Sequence, residues 1–217
     1  MGHGKETPRQ KMIGMMYLVL TALLALNVSA EVLDAFGAVD EGLIKTAKIY
    51  AEKNQILYNE FNEQYVQNEV KVKPWKEKAD EVQRRSEELF DYIQDLKIEI
   101  ITVDGQGDLE KGVITEDGEI NNQNIEGKDK MDAASQVLIG SNMDGKAFDL
   151  KNKILEYREY LISLVDEEDV RVITSLETNL DTEDPHGGES EHHSWEVKNF
   201  AHMPLAAVMP PSYQKAT

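Results

Sequence analysis

The chain has no cysteine. That excludes disulfide staples, a cysteine nucleophile and thiolate metal sites. It does not fix the compartment, because a large enough core holds without disulfides outside the cytosol. Positive charge is scarce. Lys and Arg number 23 against 41 Asp and Glu, for a net charge of −18 and a pI near 4.6. Phosphates are repelled over most of such a surface, so nucleic-acid binding is excluded as a function class. Proline is scarce too, and none lies between Pro8 and Pro74, so nothing in that interval forces a helix to stop. Catalytic signatures are missing: there is no G-x-S-x-G, no H-E-x-x-H and no Walker sequence. Gly105-x-Gly107 and Gly187-Gly188 lack the strand–turn–helix setting of a phosphate cradle. At 41% hydrophobic and 29% charged residues the composition is that of a globular protein.

Charge is also absent from Met12 to Ala30, 19 positions in a row. As a helix this stretch spans roughly 28 Å, close to the hydrocarbon core of a bilayer. Lys5, Arg9 and Lys11 precede it against only Glu6; Glu31, Asp34, Asp40 and Glu41 follow, with no basic residue before Lys45. That bias places the N-terminus in the cytoplasm and the bulk outside. Two readings compete. Val28-Ser29-Ala30 before Glu31 is a fair cleavage site for a secretory signal. Against it, Thr7, Pro8 and Gln10 spell a helix start with a capping box. Val32, Ala35, Phe36, Val39, Leu43, Ile44 and Ala47 also carry the helical pattern past Ala30. Cutting there severs what reads as one helix running to about Asn68.

On that helix Gly14, Tyr17, Thr21, Ala25 and Ser29 share one side. Thr21, Ala25 and Ser29 form a small-xxx-small series suited to close pairing of two helices in lipid, although ordinary membrane composition gives such series as well. Arg9 and Asn27 lie five turns apart on the opposite side; each also reads as a plain interfacial residue. With no carboxylate in the stretch, a proton-driven device built on it needs its acid from a partner, and Arg9 is then the fixed charge that lowers that acid's pKa. Gly37 and Gly42, just beyond the stretch, are candidate hinges.

Downstream, a turn over Val70–Lys73 is expected, then a second helix opened by Pro74 and antiparallel to the first. Its apolar positions are Trp75, Ala79, Val82, Leu89, Ile93, Leu96 and Ile100. From Asp104 to Gly145 the periodicity dissolves among glycines, which predicts a surface insertion or binding loop rather than core. Within it a hairpin around Glu116-Asp117-Gly118 and a short helix capped by Asp132 are expected. A third helix spans Phe148–Val165, and a shorter one Asp169–Leu180. Asp181–Trp195 reads as a loop. Its His186, His192 and His193, with Glu189 and Glu191, have metal-ligand chemistry, but adjacent histidines do not readily reach one ion and the acidic, glycine-rich setting reads as solvated. No spacing selects an acid pair among the carboxylates. The expectation is a non-enzyme with no cofactor and no metal.

K-x-T-P-R-Q-K-M-I (Lys5 to Ile13), M-Y-L-V (Met16 to Val19), L-x-A-L-N-V-S-x-E-V (Leu23 to Val32) and S-W-E-x-x-N-F-x-x-M-P-L-x-A-V (Ser194 to Val208) together resemble the GldM/PorM family of gliding-motility and type IX secretion proteins of Bacteroidetes. The resemblance implies the family's membrane helix and first, helical periplasmic domain. It implies a proton-motive-force-driven rotary motor in the inner membrane. In it two copies place their membrane helices inside a ring of five GldL-like subunits, and the periplasmic part carries motion toward outer-membrane secretion components. The ring partner supplies the membrane glutamate, and Arg9 matches the basic residue thought to meet it. The expected organisation is therefore all-α: a cytoplasmic segment 1–11, a transmembrane helix 12–30, a periplasmic up-and-down helical bundle 31–203 with a long irregular insertion, and from 204 to 217 the start of a following domain or a tail. The competing reading is a cleaved, secreted helical binding module that uses the 104–145 loop.

Overall fold

The computed structural model describes residues 7–115, 118, 120–121, 124–185 and 194–209; within the first helix the side chains of residues 23–34, 36–38 and 40–41 are also outside the described set. Among the described residues the elements are helical. They are α1 (Pro8–Gln67), α2 (Glu69–Val103), a 3-10 turn (Leu109–Lys111), α3 (Asp132–Leu138), α4 (Ala147–Leu164), α5 (Val170–Asn179), α6 (Trp195–Phe200) and α7 (Leu205–Val208).

α1 starts where its cap dictates. The Gln10 amide donates to Thr7 Oγ1 at 3.4 Å, the Thr7 amide donates to Gln10 Oε1 at 2.9 Å, and Pro8 fills the first helical position. From there one helix of 60 residues runs unbroken to Gln67, about 90 Å of rise. Its backbone is helical through Gly37 and Gly42.

The expected turn at Val70–Lys73 is not there. A single residue, Asn68, divides α1 from α2, and its side chain accepts from the Lys71 amide at 3.2 Å. This cap starts α2 at Glu69, so Pro74 lies inside the helix rather than opening it. The proline takes the intrahelical donor from the Val70 carbonyl, but Val70 is 89% exposed and water is at hand. α2 then folds back along α1. The Tyr58 phenol is pushed up first by burial, then by Tyr157, Glu87 and Asp80, which places mid-α1 beside mid-α2 and α4.

The core sits at the end of this hairpin far from Asn68. α2 contributes Leu96, Ile100 and Ile101, α3 Ala133, Ala134, Val137 and Leu138, and α4 Ala147 and Leu150. Val113, Ile120 and Ile125 from the irregular segment complete it. The expectation that residues 104–145 are a surface insertion is therefore overturned: this segment supplies much of the core. It can be buried because its polar groups are satisfied. The Gln106 side chain donates to the Glu126 carbonyl at 2.8 Å and accepts from the Glu126 amide at 2.7 Å, doing for a loop what a strand neighbour does in a sheet. Asp104 accepts from Gln106 and, at 3.0 Å, from Lys130. Asn124 donates to the Gly112 carbonyl at 2.9 Å. Among the described residues the expected hairpin shows one antiparallel bridge, Ile114 to Ile120; its turn residues Glu116 and Asp117 lie outside them. Gly145 is required by contact, since a Cβ there would stand 2.3 Å from the Leu138 carbonyl oxygen. α3 begins at Asp132, but Asp132 is not its cap; Met131 holds that place without a side-chain hydrogen bond.

Residues 204–209 are not separate from the bundle. Leu205 and Met209 are each 1% exposed within the same core. The Leu205 amide donates to the Lys130 carbonyl at 2.8 Å and the Ala206 amide to that of Lys128 at 3.0 Å. α7 packs on both α3 and α1.

Candidate functional site

The first turn of α1 holds no acidic residue. Arg9 and Lys11 stand there instead, at the end where the helix dipole is itself positive. Such placement costs roughly 0.3–1 kcal/mol rather than stabilising the helix. Arg9 is exposed, as are Gly14, Tyr17 and Thr21, which share one side of the helix. The Thr21 hydroxyl donates to the Tyr17 carbonyl at 2.8 Å, the internal pairing that lets a threonine sit in apolar surroundings. Ala25, Asn27, Ser29 and Gly37 carry side-chain expectations that lie outside the described residues. A Cβ on Gly14 or Gly42 would meet nothing within 4 Å, so no packing within this chain requires glycine at either place.

Around these residues the helix is apolar on every side. Met12, Ile13, Met15, Met16, Tyr17, Leu18, Val19 and Leu20 are between 48% and 72% exposed. A surface of that kind needs lipid or a partner. Among the described residues no helix is long and apolar enough to cross a membrane; the described side chains end at Ala22, partway along the 12–30 stretch.

Above this stretch the bundle is held in register by a polar ladder. Lys146 pairs with Glu99, the Lys153 ammonium lies 4.9 Å from the Tyr92 ring centroid, and the Arg85 guanidinium lies 4.0 Å from that of Tyr160. Each step of seven residues up α4 matches seven back along α2. Further round, Lys151 reaches Asp184 at 2.7 Å and the buried Glu196 at 3.5 Å, tying the chain after α5 and the start of α6 to α4. Among the described residues no group of three or more His, Asp or Glu could hold a metal; His186, Glu189, Glu191, His192 and His193 lie outside them.

The family model for the GldM N-terminal domain matches residues 31–211. The chain belongs to the GldM family. No curated protein matches it. Membership gives it a part in gliding motility and type IX secretion, within a membrane-associated assembly of several components. The GldM match covers the outer part of α1 and everything through α7, which agrees with Leu205 and Met209 belonging to one core with α2 and α3. It also gives the Ser194–Val208 motif a structural meaning. Ser194 caps α6 by accepting from the Val197 amide at 3.4 Å, Asn199 donates to the Trp195 carbonyl at 2.8 Å, and Trp195 meets Phe200 edge-on at 5.4 Å. These contacts shape α6 from within, and Phe200 packs its end against the main core.

Sequence reasoning missed the α2–α4 ladder and the Lys151 cluster. The ladder had a signal, the seven-residue spacing of Lys146, Lys153 and Tyr160. The cluster had none, because Asp184 and Glu196 are far from Lys151 along the chain.

Proposed function

We propose that this chain is the membrane-anchored central subunit of a proton-motive-force-driven rotary motor for type IX secretion and gliding. It is not an enzyme. Two copies place the helix 12–30 in the inner membrane, N-terminus in the cytoplasm, inside a ring of GldL-like subunits, five to the two of this chain. Arg9 meets the ring's membrane glutamate. Gly14, Tyr17, Thr21, Ala25, Asn27 and Ser29 face the ring or the second copy, and the bundle carries the motion into the periplasm. Gly37 and Gly42 absorb bending where the helix leaves the membrane.

The observation that carries this reading is α1 itself. One unbroken helix joins a basic, acid-free start and an all-round apolar stretch to the packed bundle. A rotating element needs such a connection, because torque is transmitted through a rigid element and lost in a floppy linker.

One observation favours the second reading, a secreted binding module: the family match begins at Glu31, the residue after the candidate cleavage site. Native mass spectrometry of protein extracted gently from membranes that also hold its ring partner separates the two. The motor reading expects two chains of uncut mass together with several copies of a small membrane protein. A chain beginning at Glu31 without membrane partners would overturn it.

A further inference from the structure

The side of α2 that meets α4 is longer than α4. Glu99, Tyr92 and Arg85 meet Lys146, Lys153 and Tyr160. By the same register Leu164, the last residue of α4, stands level with Glu81. The chain then turns, and α5 runs back along α4, where the Arg158 guanidinium donates to the Leu180 carbonyl at 3.5 Å. Above Glu81, α2 continues to Glu69, three more turns or about 18 Å. At seven-residue spacing its next two rungs are Lys78 and Lys71, and Trp75 lies between them on the same side. α4 ends before it can meet them.

Beside these rungs α1 and α2 form an open cleft of about 690 Å³. Leu57, Phe61 and Gln64 line it from α1, and Lys71, Val72 and Trp75 from α2. Trp75 is 61% exposed, and the Lys78 ammonium lies 5.1 Å from its ring centroid. An apolar groove between two helices, left open where the third helix stops, is the shape that receives a helix.

We propose that this cleft is a docking seat for a short amphipathic helix of another component of the secretion assembly, one with an apolar stripe and carboxylates at seven-residue spacing. That helix takes the place a longer α4 would hold. Its apolar side chains lie on Trp75, Phe61 and Leu57, and its acids stand opposite Lys78 and Lys71. The inference goes beyond the motor reading and needs only the family's assembly of several components. The seat lies wholly after Glu31, so it stands with either reading of the first 30 residues.

Three observations select this occupant. The seat continues an interface already present, since the stripe of α2 that holds α4 runs on into it without a break in spacing. Charge selects an acidic partner. The chain carries −18 in all, yet from Lys71 to Lys78 there are four lysines against the single Glu77. Lys76 is held by Asp80 at 2.8 Å, whereas Lys71 and Lys78 stand at the cleft. Glu60 lines the opposite, α1 edge, so the acids of the partner turn toward α2. Charge also selects against a second copy of this chain. Two identical seats face to face would set lysine against lysine, and a seat filled by some other part of a second copy gives a head-to-tail contact that does not close.

An exposed tryptophan at the centre with lysines at the rim is the arrangement of a small protein contact. The aromatic anchor supplies affinity, and the rim charges supply approach rate and choice of partner. A helix of three to four turns buries less than about 1,200 Å² in total, the range of transient contacts.

The test uses the full-length chain in cells. Benzoylphenylalanine, a photoreactive aromatic, stands in place of Trp75 and keeps a ring in the seat. Illumination is expected to link the chain to a different protein. Mass spectrometry of the linked peptide should place the bond in an acidic segment with apolar residues at helical spacing. Lys71→Glu/Lys78→Glu should lower that product at least about tenfold and reduce gliding and secretion. Lys71→Arg/Lys78→Arg should keep both, as should Lys73→Glu, which removes a lysine from the far side of the same helix. All three lysines are exposed, so melting temperatures should stay within about 2 °C of the parent. A product made of two copies of this chain would overturn the proposal in favour of self-association. A product undiminished in Lys71→Glu/Lys78→Glu would overturn recognition by charge. Absence of any product would overturn the seat.

Discussion

The guanidinium of Arg85 stacks 4.0 Å from the ring centroid of Tyr160, joining α2 to the last turns of α4. The same guanidinium donates from Nε to Glu81 at 2.6 Å, one turn back on α2. One side chain thus closes the top of the ladder that continues through Lys153 and Tyr92 to Lys146 and Glu99. Stacking needs a planar cation whose Nε can at the same time donate to Glu81, so lysine is a poor substitute. Arg85→Lys is expected to lower stability by about 1 kcal/mol, the scale of a part-exposed cation–π contact. Thermal denaturation should show a fall of roughly 2–4 °C for a chain of this size, and Tyr160→Leu a similar one. Additive losses in the double variant would deny the contact.

Leu205 and Met209 test where the domain ends. As buried members of the main core, Leu205→Ala or Met209→Ala should each cost about 2–5 kcal/mol and lower the melting temperature of the whole bundle. If residues 204–209 belonged to a separate unit, denaturant titration would leave the midpoint of the α-helical transition where it was.

Acid should release the chain that follows α5. Lys151, and after it the Trp195 amide, hold the Asp184 carboxyl below its ordinary 3.8. A group depressed in the folded state stabilises the fold above its unfolded value, and that share is lost as pH falls through the folded one. Burial pulls the Lys151 ammonium down, but Asp184 and Glu196 outweigh it and raise it above 10.5. Its share is present below 10.5 and is lost as pH rises through the folded value. Glu81, held at about 2 by Arg84 and then Arg85, adds a further loss between 4.5 and 2, much reduced by salt because the group is exposed. Melting temperature followed from pH 6 to 2.5 should fall below pH 4, and Lys151→Met should flatten the part due to Asp184. An unchanged profile in that variant would show that the pair contributes nothing.

Arg9→Ala should abolish gliding and secretion while leaving membrane insertion and dimer formation intact. Cell tracking and secreted-protein assays read the first, membrane fractionation and cross-linking the second. Cells of this variant that glide normally would remove the charge pairing from the mechanism. Arg9→Lys asks whether charge alone suffices.

Gly42→Ala separates flexibility from packing. Nothing within 4 Å obstructs a Cβ there, so helix propensity alone predicts a gain of up to about 1 kcal/mol. If Gly42 is a hinge, the variant should be more stable and move more slowly. A variant that is stabilised and moves normally would end the hinge role of this residue.

The parts legible beforehand were those fixed by neighbours in the chain. Thr7, Pro8 and Gln10 set the start of α1, and an interval without proline let it run to Gln67. The apolar face of α2 from Ala79 to Ile100, and α4 and α5, followed from periodicity. The cap at Asn68 was missed because Pro74 is the louder signal, although its missing donor is tolerated in exposed backbone. The bridge described between Ile114 and Ile120 pairs too few residues for alternation to reveal.

The sequence by itself determined a long amphipathic stalk with a charge-free, basic-headed start, because helix caps, dipole and charge bias act over a few residues. It determined the family too, because the motif residues lie in short runs. The tertiary structure alone decided which irregular residues are core. Val113, Ile120, Ile125, Leu205 and Met209 have no common period and meet only because Gln106, Asn124 and the Lys128 and Lys130 carbonyls satisfy the backbone around them. Burial of an irregular segment depends on partners distant in the chain, and no local pattern records them.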